Sequence, residues 1–209
     1  LWKPDAMSWQ DTEHGIQFTS SASKHSTHFA PQIGKLDPES SFSVLVNHEH
    51  DQAIYDFSVD SIRRSPLPLE LKWVKTSVAG LDQGIRLRDM DRDGHSELII
   101  ANPKRQAVLR RDQKGQWKEV GSFPAAIVDA KGKDNGVRFI DVDEDGNEDV
   151  IFNNGKDAGI YLFDAKTRLF SRKVETPSDL PLIVRNGTNN GVWFAKKHLW
   201  VQNENTNRL

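Results

Sequence analysis

A chain of 209 residues is long enough to bury one sizeable hydrophobic core or two small ones. With 28 Lys and Arg against 30 Asp and Glu, the formal net charge of -2 provides no long-range field to draw nucleic acid or an anionic membrane. The absence of cysteine excludes disulfides, thiolate metal sites, a cysteine nucleophile and a heme-attachment motif within these residues.

No window approaches the roughly 18 consecutive apolar residues of a spanning helix, and no basic start runs into an apolar stretch, so direct membrane insertion is not expected. The ends, "LWKPDAMSW" and "NENTNRL", read as those of a trimmed or processed piece of something longer. Residues 1–35 are expected to be irregular or to contribute edge strands, with "GIQFTSSASKHSTHFAP" supplying one or two.

From there the chain repeats itself. Residues 36–80 are read as a degenerate copy containing "SFSVLVNHEHDQAIYDF", 81–132 and 133–185 as two full copies, and 186–209 as a degenerate partial copy. "GIRLRDMDRDGHSELIIANP" starts at Gly84, and "GVRFIDVDEDGNEDVIFNNG" starts at Gly136, 52 positions later. A third start, "GVWFAKKHLWVQNEN" at Gly191, lacks six residues of loop. Aligning the four copies on Asn47, Asn102, Asn154 and Asn203 gives spacings of 55, 52 and 49.

The three clear copies open on the turn signals "DQG", "DNG" and "NNG", suited to positive backbone angles. "ELIIAN" and "DVIFNN" are apolar on both faces, as strands between two neighbouring sheets must be. The following "QAVLRR" or "GIYLFD", then "QWKEVG" or "LFSRKV", alternate more and are expected to be more exposed, with "RRDQKGQWK" a wet outer strand and hairpin. About four short strands per copy, with hardly a helical window, predict an all-β chain: a β-propeller of four-stranded antiparallel blades, with an incomplete ring a possibility. Strands of the N-terminal stretch, or strands beyond the chain, would complete the last blade.

The chemistry lies in two loops of pattern D-x-D-x-D-G-x-x-[DE]. Crowded carboxylates repel by roughly 4 kcal/mol per pair at about 4 Å near a protein surface, so such a loop is either fully wet or holds a cation. A hard cation such as Ca2+ takes about six to eight oxygens, and alternate residues of a tight loop can offer several. The expected ligands are Asp89, Asp91, Asp93, the carbonyl of His95 and Glu97 in the first loop. In the second they are Asp141, Asp143, Asp145, the carbonyl of Asn147 and Asp149. An EF-hand is not expected, because its bidentate Glu at position 12 is replaced by Ile100 or Phe152 and the flanks read as strands.

The loops with their "ELIIANP" and "DVIFNNG" strands resemble the FG-GAP or VCBS-type repeats of integrin alpha-like propellers. The resemblance is specific over residues 82–165, partial over 186–205 and faint before 60. It implies calcium bound in a nine-residue loop between the two inner strands of a blade, through side chains one, three, five and nine and the seventh carbonyl. Glu97 departs from the usual ninth Asp, and "AKK" in the third copy replaces the acids, so no calcium is expected there. The stretch "RNGTNNGVWFAKKHLWVQNENT" is also similar to a segment of large multidomain dehydrogenase-like proteins of planctomycete-type bacteria. That weaker resemblance implies a possible parent, with this chain an accessory part of a heme-linked oxidoreductase whose catalytic residues lie elsewhere.

Other features carry blander readings. His25 with His28, and His48 with His50, have spacings that zinc sites use, but no further ligand is marked, and with Glu49 and Asp51 they read as a polar edge. A glycosidase pair is not expected, since metal-saturated acids are poor proton donors and the other acids are scattered. "NGT" at 186–188 is read as a turn rather than a glycosylation site, and Trp193 and Trp200 as packing rather than a sugar platform. Together these readings give two calcium sites, no catalytic site, a structural and interaction role toward a protein, a neighbouring domain or carbohydrate, and a periplasmic or extracellular location, where weak calcium sites fill.

Overall fold

Short apolar runs between turn residues leave the backbone little choice but to pair locally, and in the computed structural model every strand pair is an antiparallel ribbon or meander. The structure describes residues 2–3, 8–9, 31–49, 51–195, 198–203 and 206. A ribbon of β1 (Trp2–Lys3) and β2 (Ser8–Trp9) comes first. Then follow three four-stranded sheets, each in chain order. The first holds β3 (Gln32–Gly34), β4 (Phe42–Asn47), β5 (Gln52–Phe57) and β6 (Ile62–Pro66). After a 3-10 turn at Leu69–Leu71 and a ribbon of β7 (Ser77–Val78) and β8 (Leu81–Asp82), the second holds β9 (Ile85–Arg88), β10 (Glu97–Asn102), β11 (Arg105–Arg111) and β12 (Trp117–Gly121).

The third sheet holds β13 (Val137–Ile140), β14 (Asp149–Asn153), β15 (Ala158–Asp164) and β16 (Leu169–Val174). A ribbon of β17 (Val184–Arg185) and β18 (Thr188–Asn189) then leads to a hairpin of β19 (Val192–Ala195) and β20 (His198–Val201). The all-β expectation with four-stranded antiparallel units therefore holds, and among the described residues the sheets close no ring. No described helix is long and apolar enough to cross a membrane.

Glycines at the repeat starts do what the turn signals require. Gly84 and Gly191 sit at φ of +67° and +71°, and a Cβ on either would lie 2.3 Å or 1.8 Å from the carbonyl oxygen of Ala101 or Gln202. Only glycine allows the opening of each copy to press against the second strand of its own sheet.

Strand register corrects the alignment of the faintest copy by one residue. Asn47 pairs with Gln52 as Ala101 pairs with Gln106 and Asn153 with Ala158, so His48, not Asn47, takes the place of Asn102 and Asn154. A one-residue slip would turn every side chain of β4 to the wrong face, so burial enforces this register. As a result Ser43, Glu97 and Asp149 are equivalent, facing Gly34, Arg88 and Ile140 respectively. In all three sheets the same number of residues therefore separates these equivalent pairs: 35–42, 89–96 and 141–148.

The two-faced inner strands explain how the sheets stack. Leu98 and Ile100 of β10 pack with Leu45 and Ile54 of the first sheet, while Ile99 and Ala101 pack with Val150 and Phe152 of the third. One strand thus feeds two layers. Ile151 of β14 faces the opposite way, onto Ile160, Leu162 and Val192. Leu98→Ala and Ile99→Ala should each destabilise by about 2–5 kcal/mol, since each empties a different fully buried layer. Chemical denaturation checks this, and near-neutrality of either variant would contradict packing on both faces.

Candidate metal centres

Each acidic loop is folded by its own carboxylates. Oδ2 of Asp89 accepts the Gly94 N–H at 3.0 Å, as Oδ2 of Asp141 accepts that of Gly146 at 3.0 Å. Oδ1 of Asp93 accepts the His95 N–H at 2.9 Å, and Oδ1 of Asp145 that of Asn147 at 2.8 Å. At the ninth position, Oε2 of Glu97 accepts the Met90 N–H at 3.1 Å and Oδ2 of Asp149 that of Val142 at 2.8 Å. Both loops also force a non-glycine residue to left-handed φ at position four, Arg92 at 56° and Glu144 at 63°. Such a conformation persists only where its surroundings hold it, and here the same frame is built twice.

With one oxygen of the first and ninth acids spent on the frame, the acids at positions one, three and nine converge. Carboxylate oxygens of Asp89, Asp91 and Glu97 lie within 4.8 Å of one another, and so do those of Asp141, Asp143 and Asp149. Asp93 and Asp145 stand outside these clusters: Arg168 bonds Asp93, and both oxygens of Asp145 serve Asn147. Three buried side-chain polar atoms among the described residues lack a hydrogen-bond partner, and two of them are Oδ1 of Asp89 and Oδ1 of Asp141, the same atom of the same loop position. An unanswered buried oxygen costs roughly 1–3 kcal/mol, more when charged. Oxygen-only donors converging on a tight turn are the chemistry of a hard divalent cation, so these residues fit calcium.

Burial pushes the carboxyls of Glu97 and Asp149 above the ordinary range. The Arg110 hydrogen bond opposes the rise at Glu97, and the N–H groups of Phe163 and Val142 oppose it at Asp149. Sequence reasoning placed Arg110 in a wet strand. Instead it is largely covered, its Nε donating to Oε1 of Glu97 at 2.9 Å, while Nη1 of Arg111 donates to the Leu36 carbonyl at 2.6 Å. Arg168 donates to both Asp91 and Asp93, and Arg172 to Asp143 at 2.8 Å.

The first sheet holds a loop of the same build that the sequence barely marks. The Leu36 N–H donates to Oγ of Ser43 at 3.2 Å, as Met90 and Val142 do to their ninth-position acids. Ser43 in turn donates to Asp56 at 2.6 Å, and Arg63 donates to both Asp56 and Asp37. Lys35 stands where the other loops begin with Asp89 and Asp141. In the last copy Ala195 pairs directly with His198, so only two residues separate β19 from β20 in the sequence.

Of the histidines, His25, His28 and His50 lie outside the described residues, and His48 is buried at the hairpin after β4, its N–H bonded to the Asp51 carbonyl. Asn186 and Gly187 adopt φ of 54° and 76° between β17 and β18, the turn that Asn-Gly favours. Trp193 and Trp200 are not core residues as expected. They stack across the last hairpin with ring centroids 6.4 Å apart and remain 44% and 48% exposed, because no described strand covers that face.

Residues 89–152 match the family of FG-GAP-like repeats, a span running from the first acid of the first loop to β14 beyond the second. That segment is an FG-GAP-type repeat. No curated protein matches the chain.

Because the folded-state values of Glu97 and Asp149 are raised, their protonation supports the metal-free fold fully below the ordinary carboxylate range, and this support is lost as pH rises through the raised values. In chelator, the stability margin of the wild type over Asp149→Asn should shrink as pH rises across that window. Denaturation midpoints at a series of pH values check it, and a margin that widens with pH would rule out an elevated Asp149.

Proposed function

We propose that this chain, an FG-GAP-type repeat at its centre, is a calcium-stabilised segment of a β-propeller that serves as a structural and interaction module. The observation that carries the reading is the recurrence, one repeat apart, of a buried and unpartnered carboxylate oxygen at Asp89 and Asp141 beside a buried ninth-position acid. Asp89, Asp91, Asp93, the His95 carbonyl and Glu97 would hold one ion, and Asp141, Asp143, Asp145, the Asn147 carbonyl and Asp149 the other. Bound calcium supplies the positive charge that lets the acids converge.

Each loop joins the first two strands of its sheet, so an ion there fastens β9 to β10 or β13 to β14. The stacked sheets then present their turns and edges to a protein partner or a neighbouring domain. Sites of this build fill at the calcium levels of the periplasm or the cell exterior, which is where we place the protein. A carbohydrate ligand fits the half-exposed Trp193–Trp200 stack, since sugar rings pack on aromatic faces.

A site that binds only the folded form adds about 2.7 kcal/mol when free calcium exceeds its Kd a hundredfold, a large share of a typical net stability of about 5–15 kcal/mol. Chelation should therefore lower the melting temperature, and Asp143→Ala should abolish most of the response belonging to the second loop. Melting that stays constant across a calcium titration of the intact chain would refute the reading.

A further inference from the structure

The two acidic loops share a backbone but not their cations. In the second loop, Asp149 spends its remaining oxygen on the Phe163 N–H at 2.8 Å, a neutral donor, and buried Leu162 stands at the sheet position that Arg110 fills in the second sheet. The guanidinium that reaches its acid set is Arg172, which bonds Asp143 from a side chain that is 62% exposed, while Arg88 bonds Glu148 of the same loop, outside that set.

In the first loop two guanidiniums are set among the acids. Arg168 donates through Nε to Asp91 and through Nη2 to Asp93, and its Nη2 lies 3.8 Å from Glu97. Arg110 bonds Glu97 and lies 3.7 Å from Asp91. The contacts to Asp91 and Glu97 are shielded, those side chains being only 9% and 2% exposed, whereas Asp93 lies at the surface. Arg168 comes from the turn between β15 and β16, so it crosses from the third sheet to a loop of the second. Its backbone is fixed there, because its carbonyl accepts Nη2 of Arg110 at 3.1 Å and its N–H is bonded to Asp164.

The first sheet carries the same device further. Between Asp37, equivalent to Asp91, and Asp56 sits the Arg63 guanidinium, in a loop whose first acid has become Lys35. The three loops thus form a series: arginine in place of the acid set, arginine laid over the acid set, and an acid set touched only at its rim.

We propose that the first loop is an arginine-guarded cation site, in which calcium must expel the Arg168 guanidinium before it can bind. The two sites then fill in sequence, the second loop first. Filling the first loop breaks a link between the second and third sheets, so occupancy there loosens a sheet-to-sheet contact while tightening β9 against β10. The displaced side chain has room, because a cleft of about 430 Å3 adjoins it, lined among others by Lys35, Asp93, Arg110, Asp112 and Arg168. This inference rests on the calcium reading of the loops.

Calorimetric titration of the intact chain with calcium alone tests it. The wild type should show two separated binding events. In an Asp143→Ala background, which silences the second loop, Arg168→Gln should tighten the remaining site by about tenfold or more, since a charge-assisted contact no longer competes. The same substitution should lower the melting temperature in chelator, where the acids of the first loop lose a counter-charge. Should the Gln variant fail to fold without calcium, Arg168→Lys, which keeps the charge but not the fork, should tighten the site by a smaller factor of about three.

Unchanged or weaker binding in both Arg168 variants, with the wild type still binding calcium, would overturn the guard and leave the calcium reading standing. Absence of calcium binding from the wild type and from every variant would overturn both. A loss of stability that is the same with and without calcium, at constant affinity, would reduce Arg168 to a structural contact and also overturn the proposal.

Discussion

A polar side chain buried at the start of a sheet's second strand must be met by donors or by positive charge, and the structure is organised around how each sheet meets it. At that position stand Ser43, Glu97 and Asp149, and each accepts the N–H of the residue after the loop's first position. That hydrogen bond fixes the loop relative to the strand whatever else happens. What remains is the other half of the group. Ser43 hands its proton to Asp56, Glu97 takes Arg110, and Asp149 takes the Phe163 N–H. Neither buried carboxylate is left bare, yet the neighbouring Oδ1 atoms of Asp89 and Asp141 are, and it is their need that a cation would satisfy.

This local requirement is tied to the whole stack because the strands that carry these groups are also the ones that pack on both faces. Glu97 is followed at once by Leu98 and Ile99, which enter different layers, and Asp149 by Val150 and Ile151, which do the same. Moving the ninth-position acid outward to reach water would drag two layers with it. The interior is therefore what compels the acids to stay in, and the loop frame is what makes their staying tolerable. Guanidinium contacts between sheets follow the same logic: Arg111 reaches the loop of the first sheet, Arg168 that of the second, and Arg88 pairs with Glu148 on the third.

Much of this was legible from the residues. The period, the β content, the opening turns and the convergence of Asp89, Asp91 and Glu97 and of Asp141, Asp143 and Asp149 follow from spacing and from the alternation of apolar with turn residues, because those signals are local. The first-sheet loop escaped because "KLDPESSFS" keeps only Asp37 and Glu39 of the acid pattern, and the equivalence shows only once Gly34 is seen facing Ser43. Arg63, Arg110 and Arg168 escaped for a different reason: each acts on acids of another strand or loop, and an arginine looks solvated until its partner is placed. Trp193 and Trp200 misled because their burial depends on outer strands that the described residues do not supply.

The residue at position nine also makes sense only together with its neighbour across the sheet. Glu97 has one methylene more than Asp149, and that length lets Oε2 keep the Met90 N–H while Oε1 reaches Arg110 Nε, both within 3.1 Å. Asp149 is too short to span such a pair, and its second oxygen lies close enough to the backbone to take the Phe163 N–H instead. Long acid with arginine, and short acid with leucine and a backbone donor, are two self-consistent solutions to one burial problem. Exchanging only one member of either pair would strand a charge: an Asp facing Arg110 would leave the guanidinium short of its acceptor, and a Glu facing Leu162 would press a carboxylate onto a methyl group. The departure at Glu97 is thus coupled to the arrival of Arg110, and the difference between the two loops belongs to a pair of residues rather than to one.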